Sequence, residues 1–146
     1  MSAKRLRSQF AHLSLLLFLG CVVSMALAGQ EPTPRAVSLC DLGKAPEKFD
    51  GQLILVTAQY ESDGTEREGL SDSLCRNLGV ALTFTETTLG KEDLRTALHG
   101  GYPGTLDKTI TGTFVGVFQW RPGSHPPRDL AVKKMYDFKV RHMSNR

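Results

Sequence analysis

Cysteine is scarce in this chain, three in 146 residues, and no two of them form a C-x-x-C pair. A thioredoxin-type redox centre or a zinc ribbon needs that spacing, so both are excluded. Histidine is equally sparse. His99, His125 and His142 lack the H-x-x-x-H spacing that presents two imidazoles on one helical face, so no metal site is assigned. No G-x-S-x-G elbow is present to hold a hydrolase serine. Gly100-Gly101-Tyr102-Pro103-Gly104 has neither the lysine nor the helix of a phosphate-cradling loop. Glu92 and Asp93 are neighbours on an expected helix and point in different directions, which is poor geometry for an acid–base pair. No cofactor is implied, and neither internal repeats nor low-complexity segments occur.

A surplus of one charge is also missing once the chain is divided. The 18 Lys/Arg and 15 Asp/Glu give +3, but Lys4, Arg5 and Arg7 sit at the N-terminus, and without them the two signs balance. A balanced domain offers no bulk basic surface for a polyphosphate, so nucleic acid is disfavoured as a partner. The exception is local. The stretch from Arg128 to Arg146 carries six Lys/Arg against Asp129 and Asp137, which leaves a contact to acidic partners or anionic headgroups open.

An apolar run of membrane length is lacking too. Leu13 to Val23 is the longest candidate, and it falls well short of the roughly 20 residues a spanning helix requires. What is there instead has the three parts of a secretory signal: the basic cluster, the apolar run, and the small-residue site Ala26-Leu27-Ala28. The expected organisation is a signal peptide over residues 1–28 cleaved after Ala28, a flexible lead-in over 29–36 with two prolines, and one domain over 37–143. The compartment is then the periplasm or the exterior, with no permanent membrane span after cleavage. Leu19-Gly20-Cys21 supplies the alternative of a lipoprotein anchored at Cys21.

Signal removal leaves Cys40 and Cys75, and in an oxidising compartment a bridge between them is expected. Two buried free thiols, or a catalytic thiol, are the alternatives. On the chain-entropy model, closing this loop stabilises by roughly 3 to 4 kcal/mol.

Along the domain, Ser38 predicts an N-cap for a short helical turn through Leu39, Cys40 and Leu42, stopped by Gly43 and Pro46. Asp50-Gly51 is a turn signal. After it Ile54, Val56, Ala58 and Tyr60 alternate on one strand face. Asp63-Gly64 marks a second turn within a charged loop from Glu61 to Glu68. A second strand is expected over Glu68 to Ser71 and a third over Val80 to Phe84. Leu94, Ala97 and Leu98 then take the i, i+3, i+4 spacing of an amphipathic helix. Ile110, Phe114, Phe118 and Trp120 share one parity with Gly112 and Gly116, and glycines so placed mark bending or close backbone approach. Proline interrupts Arg121 to Arg128, which must be a loop. The last strand puts Leu130, Val132, Tyr136, Phe138 and Val140 on one face, with Lys134 breaking the pattern as at a bulge.

The order strand, strand, strand, helix, strand, strand makes the fold class all-β with one helix. It is that of an OB-like five-stranded barrel. Eight strands, as in a lipocalin-type barrel, are not found.

Three stretches also resemble something known. Cys40-Asp41-Leu42, Pro46 to Val56 with its Pro-x-x-aromatic-Asp-Gly approach to a strand, and Leu70-Ser71-Asp72-Ser73-Leu74-Cys75 resemble small exported bacterial proteins of uncharacterised function with OB-like domains. The likeness covers about Val37 to Cys75 well and Thr111 to Phe114 loosely. It implies fold and export, and carries no catalytic residue across.

In an OB-like barrel the ligand face is the second and third strands, flanked by the loops between strands one and two and between strands four and five. Those elements nominate Tyr60, Arg67, Trp120, Arg121, His125 and Arg128 as ligand-binding candidates, an aromatic platform with cationic neighbours that could stack on or pair with a base, sugar or carboxylate. The plainer reading makes Trp120 a cap on the core and its arginines solvated. Function is therefore expected to be non-catalytic binding of an unknown protein, peptide or small envelope ligand. One alternative is a structural or assembly subunit pairing through an edge strand. Another is an enzyme, for which no residue can be nominated.

Overall fold

The computed structural model describes residues 32–63, 67–75, 77–99 and 108–142. The chain divides into two compact units, Met1–Pro32 and Thr33–Arg146, and every helix and strand among the described residues lies in the second. The segment expected as a signal, Gly64, and the glycine-rich stretch 100–104 lie outside the described residues.

A two-residue strand, β1 (Arg35–Ala36), opens the unit. It lies within the stretch expected as a lead-in, and pairs parallel with Ile54 and Leu55, extended by Val37 N donating to Leu55 O at 2.9 Å. Helix α1 (Leu39–Lys44) follows. As its sequence predicts, the Ser38 side chain caps it, accepting from Asp41 N at 3.1 Å and donating to Asp41 Oδ2 at 2.7 Å. Leu39 and Leu42 turn inward. Pro46 begins a 3-10 turn, Pro46–Lys48, that ends the helix and leads to Gly51, whose φ of +70° makes the anticipated tight turn.

The strands are β2 (Leu53–Ser62), β3 (Glu68–Ser71), β4 (Val80–Leu89), β5 (Lys108–Trp120) and β6 (Arg128–His142), with helix α2 (Lys91–Leu98) between β4 and β5. Pairing runs β1-β2-β3-β4-β6-β5, and β5 pairs back onto β2, so the hydrogen bonding closes into a ring. All these neighbours are antiparallel except β4 with β6 and β1 with β2. The molecule is thus mostly β with one main helix, as the element order predicted.

Inside the ring lie Ile54, Val56, Ala58 and Tyr60 from β2, Leu70, Val80, then Ile110, Phe114 and Phe118 from β5, and Leu130, Val132 and Met135 from β6. Leu94 closes it from α2. Phe138 meets Phe114 edge to face, centroids 6.0 Å apart. Gly112 and Gly116 do what their parity suggested. A Cβ on Gly112 would sit 2.6 Å from the Phe138 ring, and one on Gly116 would run into the Ala131 carbonyl, so β5 and β6 approach closely only because both positions are bare.

The expected inward face of β6 needs correction. Met135, which alternation from Leu130 and Val132 would send outward, is 1% exposed and in the core, and Tyr136 gives up the inward place; Val140 keeps its expected face, opposite Ile110, but is exposed near the strand end. The register explains it. Val115 opposes Lys134 while Gly116 opposes Val132, so Lys133 is an extra residue, and parity flips beyond it. A second extra residue lies between Tyr136 and Lys139, where Asp137 has φ of +57°; it turns Phe138 back toward the core. The β4 strand also runs past Phe84, its expected end. Its pairing with β6 jumps after Phe84, where Thr88 Oγ1 accepts from Thr85 N at 2.9 Å and donates to Val132 O at 2.8 Å.

Helix α2 ends on a side chain contributed by the next strand. Lys108, 2% exposed, directs its Nζ at the carbonyls of Ala97, Leu98 and His99 at 3.3, 3.1 and 3.1 Å. A buried ammonium thereby satisfies the helix's terminal acceptors and meets the negative end of its dipole.

Candidate functional site

Each wall of the site follows from local chemistry. At the foot of β3, Asp63 and Arg67 close the charged loop: Asp63 N donates to Arg67 O at 3.2 Å, and Arg67 N donates to Asp63 Oδ1 at 3.1 Å. This leaves the Arg67 side chain exposed beside Glu68. On β4, alternation sends Val80 into the core and Thr83 outward, where its Oγ1 donates to Asp129 Oδ1 at 2.9 Å. The proline-rich loop between β5 and β6 is held as a rigid turn. Arg121 N donates to Pro127 O at 2.9 Å, and the Ser124 hydroxyl lies 2.8 and 2.9 Å from the carbonyls of Arg121 and Pro126.

Between these walls is a cleft of about 650 Å³ lined by Arg67 and Glu68, Ala81 to Thr83, and Arg121, Ser124 to Pro126 and Asp129 from the loop and its exit. A second cleft of about 600 Å³ adjoins it and shares Arg67, Glu68, Ala81 and Pro126. It continues along β3 past Glu61 and Asp63. The first cleft carries two guanidiniums and two carboxylates, Arg67 and Arg121 with Glu68 and Asp129, and the second adds the carboxylates of Glu61 and Asp63. The Arg95–Glu92 ion pair on α2, 3.5 Å apart, is not part of this lining.

Of the nominated residues, Arg67, Arg121 and His125 come together here. Trp120 and Arg128 oppose one another across β5 and β6, with the guanidinium 5.2 Å from the ring centroid. They do not line the cleft. The Trp120 side chain is half-buried against the core, and its backbone N–H donates to Asp50 Oδ1 at 2.8 Å. Arg128 Nε is buried without a hydrogen-bond partner among the described residues. Tyr60 is wholly buried inside the ring and presents no surface.

Sequence reasoning did not nominate Glu68, Thr83, Ser124 or Asp129. Glu68 and Asp129 open strands beside nominated residues, and that position was the available signal. Thr83 carried a weaker one in its outward parity.

The Cys40–Cys75 disulfide is formed, with Cα atoms 5.4 Å apart, and ties α1 to the turn that follows β3. Asp72 shapes that turn by accepting from Leu74 N at 2.8 Å. Among the described residues no helix is long and apolar enough to cross a membrane, and no three His, Cys, Asp or Glu side chains gather as a metal site. No family model, curated protein or solved structure matches the chain.

Proposed function

We propose that the chain is an exported, non-catalytic binding module built on an OB-like barrel, and that its ligand surface is the cleft between β3, β4 and the β5–β6 loop. One observation carries this reading: Arg67, Arg121 and His125, chosen from segments far apart in the chain, line a single cleft. The closing pair of β5 on β2 and the parallel pair of β4 with β6 support the barrel, since a five-stranded Greek-key closure needs both. The second and third strands of that barrel, β3 and β4, then correspond to the face such barrels use for ligands.

Export rests on the leader-like residues 1–28 and the resemblance of Val37 to Cys75 to small exported bacterial proteins. The Cys40–Cys75 disulfide is compatible with a periplasmic or extracellular location, where such bonds persist.

Site-specific photo-cross-linking in the producing cell tests the surface. A cross-linker replacing Thr83, inside the cleft, is expected to yield a discrete adduct, and one replacing exposed Thr57, away from the cleft on β2, is expected to yield none. Equal adducts from both positions, or none from either, would remove the cleft as the binding surface.

A further inference from the structure

The backbone of the cleft narrows what it accepts. We infer that its occupant is an extended polypeptide segment that adds as a strand to the open edge of β4 at Leu82–Phe84. This rests on the binding role proposed above and names the ligand class.

On one side, β4 is paired with β6 continuously from Ala81 to Phe84. On the other, the ladder with β3 stops after Leu70 with Val80 and Gly69 with Ala81. Were it to continue, Glu68 would oppose Leu82 and Arg67 would oppose Thr83. Both residues line the cleft instead, and among the described residues no strand occupies that edge. Side chains alternate across a strand, so three consecutive residues, Ala81, Leu82 and Thr83, line one cleft because β4 backbone forms part of its wall. An open edge of this kind is a template for an added strand, where backbone pairing supplies affinity and flanking side chains supply register.

The flanking charges select among partners. Arg67 and Arg121 are matched by Glu68 and Asp129, and Glu61 and Asp63 line the adjoining groove. Together these are four carboxylates against two guanidiniums, an arrangement that opposes a polyanion, whose charges are all negative. It suits a polypeptide carrying both signs, which can set Lys or Arg against the carboxylates and Asp or Glu against the guanidiniums.

The oxidised protein from the producing cell is panned against a random-peptide library displayed on phage, and enriched peptides are resynthesised. Binding is expected to slow amide exchange within Leu82–Phe84 and not within Thr111–Val115. N-methylation is expected to weaken binding at every second peptide residue only, by about tenfold or more, because alternate N–H groups face the partner strand. Arg67→Ala with Arg121→Ala is expected to weaken binding about tenfold with the unfolding midpoint unchanged. Failure to enrich any peptide, an N-methyl scan without alternation, or protection at another surface would overturn the inference. So would light scattering that shows self-association with those amides already protected, since the edge would then hold a second copy. A non-peptide adduct captured at the Thr83 position would uphold the cleft while eliminating the peptide.

Discussion

The side of the ring made by β2, β5 and β6 and the side made by β3 and β4 differ in how much ladder each sustains. β5 pairs with β2 without interruption from Tyr60 to Leu53, and with β6 along its whole length from Lys108 to Trp120. Nearly every inward position there is filled by a side chain with no exposure, among them Ile54, Val56, Phe114 and Phe118. β3 spans only Glu68–Ser71 and joins β4 through two residues. The disulfide lies on this weaker side, anchoring the turn after β3 to α1. One wall holds itself by burial; the other is pinned by covalent chemistry and leaves backbone free. Binding surfaces are drawn from elements with little packing to lose, and the proposed cleft lies on this side.

The comparison breaks first, and hardest, at Phe114. Phe114→Ala removes a wholly buried ring from the centre of the long wall and is expected to cost about 3 to 5 kcal/mol in urea unfolding. A loss below about 1 kcal/mol would mean stability does not reside there. Replacing both Cys40 and Cys75 with serine is expected to cost about 3 to 4 kcal/mol, with exchange accelerated most in β3 and the turn after it. A thiol count on the unmodified protein should find both cysteines blocked. Trp120→Ala, at the junction of the walls, is expected to lose about 2 kcal/mol, below the full cost because the ring is half-buried. An unchanged midpoint would return Trp120 to the ligand surface.

Lys108→Met sharpens the long wall's link to α2. Three carbonyls lose their donor while an aliphatic chain of similar length remains, so about 1 to 2 kcal/mol and faster exchange in the last turn of α2 are expected. The smallest effect belongs to the cleft. Arg67→Ala with Arg121→Ala is expected to move stability by less than about 0.5 kcal/mol in the same urea measurement. A larger change would mean these cations hold the fold, not a ligand.

Much of the fold was readable because its signals are local. Ser38 could be recognised as a cap, Asp50-Gly51 as a turn, and the Leu94, Ala97, Leu98 spacing as a helix, each within a few residues. The candidate site was only partly readable. Arg67, Arg121 and His125 could be nominated from the loops they occupy, but Tyr60 entered on strand position alone, and its inward parity on β2 decided its place. Trp120 was ambiguous for the same reason: an aromatic ring at a strand end fits a core cap and a ligand platform equally until its neighbours are known.

What the amino-acid order determined by itself is the succession of elements from α1 to β6, the alternation that fills β2 and β5, and the two glycines where strands cross closely, since these depend on residues adjacent or nearly so. Tertiary structure alone decided the rest. The extra residue beside Lys134 moved Met135 to the core and the one at Asp137 returned Phe138 to it, because the register across a bulge exists only relative to the strand it opposes. Lys108 became a helix cap because folding carried α2's free carbonyls to it. The open edge of β4 likewise depends on where β3 stops pairing, and a strand's own sequence does not record which of its hydrogen-bonding sides will find a neighbour.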